Sequence, residues 1–209
     1  MSFSQPKEDK EVEEALVRDL QAGDMDAYDK IAELYQNKIY SLSFNLVRNQ
    51  MDAQDVTQEV LLTLFRKINT FQGKSAFSSW VYRITLNTSY MKLRSKKKDP
   101  NISIDDLLPS FNGAGFQKEK IQDWSGSTES LLFKNETKEV IQKAVEQLPE
   151  KEKVVFLLRD VEGLSTEKVS CILDLTIPAV KSRLHRARLY LRKKLSGYFE
   201  EYSSKKGES

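Results

Sequence analysis

Residues 165 to 188 read Ser165-Thr-Glu-Lys-Val-Ser-Cys-Ile-Leu-Asp-Leu-Thr-Ile-Pro-Ala-Val-Lys-Ser-Arg-Leu-His-Arg-Ala-Arg188, and this stretch decides the fold. Ser165 is placed to cap a short helix, with Glu167 in the first turn, where the helix dipole favours an acid. Val169, Ile172 and Leu173 give that helix an inward face. Asp174 tolerates left-handed backbone and falls where the helix should end. Thr176 can cap a second helix whose first turn takes Pro178 without losing a hydrogen bond. Beyond it Val180, Leu184, Ala187, Leu191 and Leu195 recur at steps of four and three, a single apolar stripe. Lys181, His185, Arg188 and Arg192 form the adjacent stripe, with Ser182, Arg186 and Lys193 beside it. A helix, a tight break and a second helix with a Lys, Ser, His and Arg face make a helix-turn-helix suited to a DNA major groove.

An ordinary helical hairpin with a solvated basic face is the bland alternative. Residues 178 to 198 hold seven Lys or Arg and no acid, whereas a merely solvated helix mixes signs for i,i+4 pairing. The same segregation appears elsewhere. The formal net charge is only +2, yet residues 66 to 98 carry nine Lys or Arg and no acid, and residues 1 to 33 carry ten acids against four bases. Screening makes local charge count for more than the total, so a nearly neutral chain can hold two anion-binding surfaces. The single Cys171 has no disulfide partner and sits among apolar neighbours, which predicts a small buried residue. No signal peptide or apolar span is visible, so a cytoplasmic protein without membrane insertion is expected.

Outward from the opening stretch, the chain reads as all-α, with helices expected over about 10–22, 25–48, 52–68 and 76–97. Gly23-Asp24 marks the first break. Residues 99–128 lose periodicity and gather turn residues (Asp99-Pro100, Asn112-Gly-Ala-Gly115, Ser125-Gly-Ser-Thr128), which predicts a tether between domains. Helicity resumes near residue 129, and Lys151–Asp160 leads through Glu162-Gly163 into the helix-turn-helix. The division is therefore 10–98, a linker at 99–128, and 129–199, with short disordered tails at 1–9 and 200–209.

In the fourth helix, Phe77, Trp80, Val81, Ile84, Thr88 and Met91 are expected to face inward. Arg83, Asn87, Tyr90, Arg94 and Lys97 recur at four, three, four and three on another side. Cations neutralise phosphates, amides pair with base edges, and aromatics stack on unpaired bases. Phe71 and Lys74 in the preceding loop and the run Lys96 to Lys98 extend this second surface. The third helix turns Val56, Val60, Leu61, Leu64, Phe65 and Ile68 inward, and Asp52, Asp55, Gln58 and Glu59 outward. Three carboxylates at that spacing can hold a divalent ion. No His or phosphate-cradling glycine loop accompanies them, so an exposed acidic patch for a basic protein partner is preferred, and neither metal nor cofactor is called for.

Several motifs together resemble the extracytoplasmic-function (ECF) sigma factors of bacterial RNA polymerase, in the sigma-70 family. They are Asp52-Ala-Gln-Asp-Val-Thr-Gln-Glu-Val-Leu61, Phe71-Gln-Gly-Lys-Ser-Ala-Phe-Ser-Ser-Trp-Val-Tyr-Arg-Ile-Thr-Leu-Asn87, Leu148-Pro-Glu-Lys-Glu152, Glu162-Gly-Leu-Ser165 and Val180-Lys-Ser-Arg-Leu-His-Arg-Ala-Arg188. The resemblance implies a region-2 domain at 10–98, a linker, and a region-4 domain at 129–199. It implies docking of Asp52, Asp55, Gln58 and Glu59 on core RNA polymerase. It implies that Phe71, Lys74, Ser75, Ala76 and Asn87 hold a flipped base of the promoter −10 element, beside Arg83 and Tyr90. Lys181, Ser182, His185 and Arg186 would read the −35 element. Phosphate contacts would come from Arg94, Lys96, Lys97, Lys98, Thr166 and Arg183. Core polymerase, promoter DNA and an anti-sigma factor are the implied partners, and no catalysis is implied. Where housekeeping relatives carry adjacent tryptophans, this chain has Trp80-Val81.

Two other readings compete. A free-standing helix-turn-helix regulator accounts for 129–199 but leaves the first domain without a task. A metal-dependent nuclease has only the carboxylates of 52–59 behind it.

Overall fold

The structure, a computed structural model, describes residues 7–97 and 131–206, with side chains described over 11–96 and 139–196. Every regular element among them is helical: α1 Lys7–Gln21, α2 Met25–Val47, α3 Gln50–Lys67, a 3-10 turn Ile68–Thr70, α4 Phe77–Lys97, α5 Leu131–Glu146, α6 Glu150–Phe156, a π turn Leu157–Val161, α7 Thr166–Leu173 and α8 Ile177–Lys206. The expected tether at 99–128, and Lys98 with it, lie outside the described residues. Two stretches expected to be disordered are helical in part, since α1 begins at Lys7 and α8 runs to Lys206. Both stretches are rich in Lys and Glu, which are good helix formers.

Local chemistry sets the boundaries. Gly23 takes φ 92°, and the Asp24 carboxylate accepts from the Asp26 N–H at 2.9 Å to start α2. Arg48 adopts a left-handed backbone, returning its N–H to the Phe44 carbonyl, and the Asn49 side chain accepts from the Asp52 N–H at 3.0 Å. Two residues thus turn α2 into α3, which begins two residues before the expected start. In the decisive stretch, Ser165 accepts from the Lys168 N–H at 3.2 Å, and Asp174 (φ 53°) closes α7 with its N–H on the Ser170 carbonyl. Pro178 lies in the first turn of α8.

Packing groups the chain into two units. One holds α1–α4 together with residues 157–177; the other holds α5, α6 and α8. The first has a core of Val17, Leu20, Ile31, Tyr35, Ile39, Val56, Val60, Leu64, Phe77 and Val81. In the second, Ala144, Val145, Leu148, Val154 and Val155 are buried, as are Val180, Leu184, Ala187 and Leu191 of the expected stripe. Removing such apolar area from water is worth about 25 cal/mol per Å2.

Three burial expectations fail. Met91 is exposed and Thr88 half-exposed, while Tyr82, Leu86 and Tyr90 are buried. Helix α4 is covered on a second side, because α7 packs against it within the first unit. Phe65 stands 42 % exposed at the rim, edge-on to Tyr28. Cys171 is exposed rather than buried.

Candidate nucleic-acid interface

Helix α8 separates its faces as its sequence predicts. Val180 and Ala187 are fully buried, while Lys181, His185 and Arg186 are exposed and Ser182 is half-exposed. Arg186 is held in place: its Nε donates to Glu152 Oε1 at 3.0 Å and its Nη1 to Ser182 Oγ at 3.3 Å. That leaves a short exposed row of cation, hydroxyl, imidazole and guanidinium, the donor-rich mixture that base edges and phosphates accept from. Arg183 departs from expectation. It is 8 % exposed, its Nη1 is buried without a partner among the described residues, and burial pulls its guanidinium below its usual value despite Glu152 nearby. A phosphate contact needs an accessible guanidinium, so Arg183 belongs to the packing of its unit. Thr166, at the start of α7, is half-exposed and accepts from Arg159 Nε at 3.4 Å.

The loop before α4 is anchored at one end and open at its tip. Gln21 Nε2 donates to the Ile68 carbonyl at 3.2 Å and the Phe71 carbonyl at 3.0 Å, two bonds from one amide. Phe71 is half-buried, its ring 5.4 Å from Phe77 and 5.3 Å from Trp80. Gln72, Gly73, Lys74 and Ala76 are exposed and Ser75 is half-exposed, with Gly73 at φ 68° forming the bend that lifts them outward. Trp80 packs in this aromatic group, as its apolar-face position predicts. Asn87 projects into solvent from α4.

Two further members of the expected α4 stripe, Arg83 and Tyr90, are taken up within the protein. Tyr90 is 6 % exposed, so its ring cannot stack on a base as placed. Arg83 donates from Nη2 to the Cys171 carbonyl and from Nε to the Ile172 carbonyl at 3.3 Å. Arg94 is half-buried, with Nε and Nη2 buried and without a partner among the described residues. Lys96 bonds Asp52, and Lys92 lies 3.6 Å from Asp52 and 2.8 Å from Asp55. The side chains of Lys97 and Lys98 lie outside the described ones.

Those lysines change the reading of α3. Asp52 is 6 % exposed, and the Lys96 hydrogen bond, then Lys92, holds its carboxyl below the ordinary carboxylate range. It ties α3 to α4 and cannot meet a macromolecular partner. Asp55, 62 % exposed at its side chain, Gln58 and Glu59 remain outside. The sequence reading missed their neighbours: Met51 (75 % exposed), Leu62 and Phe65 lie on the same side at steps of four and three from Asp55 and Gln58. Apolar side chains left in water along one stripe mark an interaction surface. The signal is present in that spacing, but Phe65 also falls in register with the apolar positions Leu61, Leu64 and Ile68.

Comparison with known proteins bears on both units. The Sigma-70 region 2 family model matches residues 31–99, and the Sigma-70, region 4 model matches residues 138–191. The chain is 31 % identical over 191 residues to the RNA polymerase sigma-H factor of Pseudomonas aeruginosa, covering 91 % of this chain and 97 % of that one. It is 33 % identical over 178 residues to the ECF RNA polymerase sigma-E factor of Escherichia coli, covering 84 % and 90 %. Among solved structures, CnrH in complex with the cytosolic domain of CnrY shares the fold at TM-score 0.66 and 18 % identity, over 89 % of this chain and 98 % of that one. The sigma factor RpoE of Bartonella quintana, in complex with the anti-sigma factor NepR, shares it at TM-score 0.58 and 21 % identity, over 81 % and 96 %.

Proposed function

The chain belongs to the ECF sigma factors of the sigma-70 family, which direct transcription initiation, and on that premise we propose how its residues divide the work. Residues 10–98 form the domain that docks on core RNA polymerase and takes up the −10 element. Residues 129–199 form the domain that reads the −35 element, and 99–128 connect them. Asp55, Gln58 and Glu59, flanked by Met51, Leu62 and Phe65, make the docking surface on core polymerase. The exposed backbone and side chains of Gln72 to Ala76, with Phe71 beneath them and Asn87 beyond, receive an unpaired base of the non-template strand. Lys181, Ser182, His185 and Arg186 enter the major groove at −35, with Thr166 on a phosphate.

The observation that carries this reading is the exposed row Lys181, Ser182, His185 and Arg186 on a helix whose opposite face is buried. Promoter DNA and core polymerase are then the partners, and an anti-sigma factor is a third, as for the relative solved with NepR. The protein performs no catalysis of its own and works in the cytoplasm. No helix among the described residues is long and apolar enough to cross a membrane. The test is reconstituted transcription with bacterial core enzyme on a matched promoter. Promoter-specific runoff is expected only when the protein is added, and runoff identical with and without it overturns the proposal.

A further inference from the structure

We propose that Gln21, at the end of α1, is a positioning residue for the loop that receives the unpaired −10 base: its amide holds the root of residues 72–75 and thereby sets the shape of the pocket. The proposal rests on the proposed −10 interface.

Gln21 reaches out from fixed backbone. Val17 and Leu20 bury α1 against the core of its unit, and Glu13 accepts from Tyr35 Oη on α2. Just past Gln21, the Asp24 N–H bonds the Asp19 carbonyl and the Gly23 N–H the Leu20 carbonyl, each at 3.0 Å, the paired closure that a left-handed glycine permits. From there the half-buried side chain crosses to residues 47 and 50 positions further along the chain, where Nε2 donates to the Ile68 carbonyl at 3.2 Å and the Phe71 carbonyl at 3.0 Å. An amide nitrogen carries two donors, enough for both. The same Ile68 carbonyl accepts from the Phe71 N–H at 3.0 Å, so Gln21 clamps a turn that is already closed on itself.

The Phe71 carbonyl is the last backbone acceptor before the open tip of the loop. Ring packing on Phe77 and Trp80 fixes where Phe71 sits but leaves its carbonyl free to rotate, and the Gln21 amide removes that freedom. A trans peptide is planar, so a carbonyl held towards Gln21 turns the Gln72 N–H the opposite way. The tip therefore leaves its root in one direction and bends at Gly73 (φ 68°). It is caught again at Ala76, whose carbonyl accepts from the N–H groups of Ser79 at 3.0 Å and Trp80 at 3.3 Å. A pocket for a flipped base needs its donors standing in place beforehand, since ordering them on binding costs affinity. Gln21 supplies that order from a helix remote in sequence.

The experiment uses holoenzyme, the full chain with bacterial core polymerase. Fluorescence anisotropy follows a single-stranded non-template −10 oligonucleotide with each base substituted in turn. Gln21→Met keeps the side chain's length and removes its donors. It is expected to lower the preference at one base by about tenfold, the scale of one lost base contact, with core association and −35 binding unchanged. Gln21→Lys, whose ammonium brings three donors, is expected to restore most of that preference. Preference is a ratio of affinities, so a general gain from the added charge cancels. An unaltered preference in Gln21→Met overturns the proposal. So does a loss that Gln21→Lys fails to restore, or one matched by an equal loss of core association, the mark of a purely structural role. Gly73→Val, strained at its positive φ, separates this from failure of the −10 reading. Intact preference at every base in that variant removes the pocket from the loop, and the proposal with it. Preference lost in Gly73→Val but kept in Gln21→Met overturns the role of Gln21 alone.

Discussion

Along α4, cations meet acceptors from other elements: Arg83 the last carbonyls of α7, Lys92 both Asp52 and Asp55, and Lys96 Asp52. On α8, Lys181 and His185 stand exposed, and Arg186 leans on Glu152 while still facing solvent. The two helices lie in runs equally free of acids. A charge run records only what one segment contributes, and the fate of each cation is set by what packs across from it. Helix α3 brings two carboxylates to α4, one of them buried, and a buried acid keeps its partners because releasing them would leave it uncompensated. Among the described residues, no acid pairs with Lys181 or His185. The second basic run therefore stays open to solvent, as the proposed −35 surface requires, whereas much of the first is an internal tie.

The largest effect should come from the α3 acids that stay outside. Asp55→Lys with Glu59→Lys is expected to weaken association with core polymerase by at least about 30-fold, the scale of losing a central contact of about 2 kcal/mol or more. The fold should survive, since the solvent-screened Asp55–Lys92 pair adds little to stability. Co-purification with core at the unaltered level would show that α3's acids serve only the lysines of α4.

On α8 the comparison can be sharpened within one turn. Lys181→Ala and Arg186→Ala should each cost about 1–3 kcal/mol in −35 binding, with relaxed preference at one base pair where the contact is to a base edge. Arg183→Ala should instead lower the unfolding midpoint, through about 0.5–3 kcal/mol of lost packing, and leave base preference alone. Paired measurements of thermal unfolding and duplex selectivity check the split. A selectivity change in Arg183→Ala with unaltered stability would put that guanidinium back on DNA.

Asn87 is the member of the α4 stripe that is exposed and has no protein partner expected of it by charge. A mid-helix Asn has no propensity advantage there, and its amide offers a donor and an acceptor to a base edge. Asn87→Ala is expected to leave core association and −35 binding unchanged while blurring selectivity at one −10 base and slowing open-complex formation. Permanganate footprinting on promoters substituted base by base measures this. An unchanged single-base preference removes Asn87 from the pocket.

These cases also mark what the sequence could say. The helices, the breaks at Gly23-Asp24 and Asp174, and the stripe from Val180 to Leu191 were legible because caps and apolar periods are local signals. The burial of Tyr90, the exposure of Phe65 and the burial of Arg183 were not. Each depends on whether a second element arrives at a helix face, and one helix's period cannot register how many neighbours it has. Asp52 fell between the two: its place on the face of Asp55 and Gln58 was correct, but Lys92 and Lys96 reach it from another helix.

The smallest effect separates that internal tie from the surface acids by pH. The Asp52 carboxyl is held below its ordinary value, first by the Lys96 hydrogen bond and then by Lys92. A depressed acid contributes stability that is in full force above its unfolded value, near pH 4, and is lost as pH falls through the folded value. Lys92, raised chiefly by Asp55, contributes in the opposite limb: its share is present at neutral pH and lost only as pH climbs through its raised value in strong alkali. Between these limits the tie is constant. Asp52→Asn should therefore unfold at lower urea than the unaltered protein at pH 7, and the gap should narrow as pH falls below about 4 and on through the lower folded value, where the native carboxyl takes up its proton. Asp55→Asn, at an exposed pair, should show a far smaller gap at every pH. Equal gaps for the two variants, or one for Asp52→Asn that persists undiminished at pH 2, would mean that Asp52 stabilises through its shape and its backbone cap rather than through the lysines of α4.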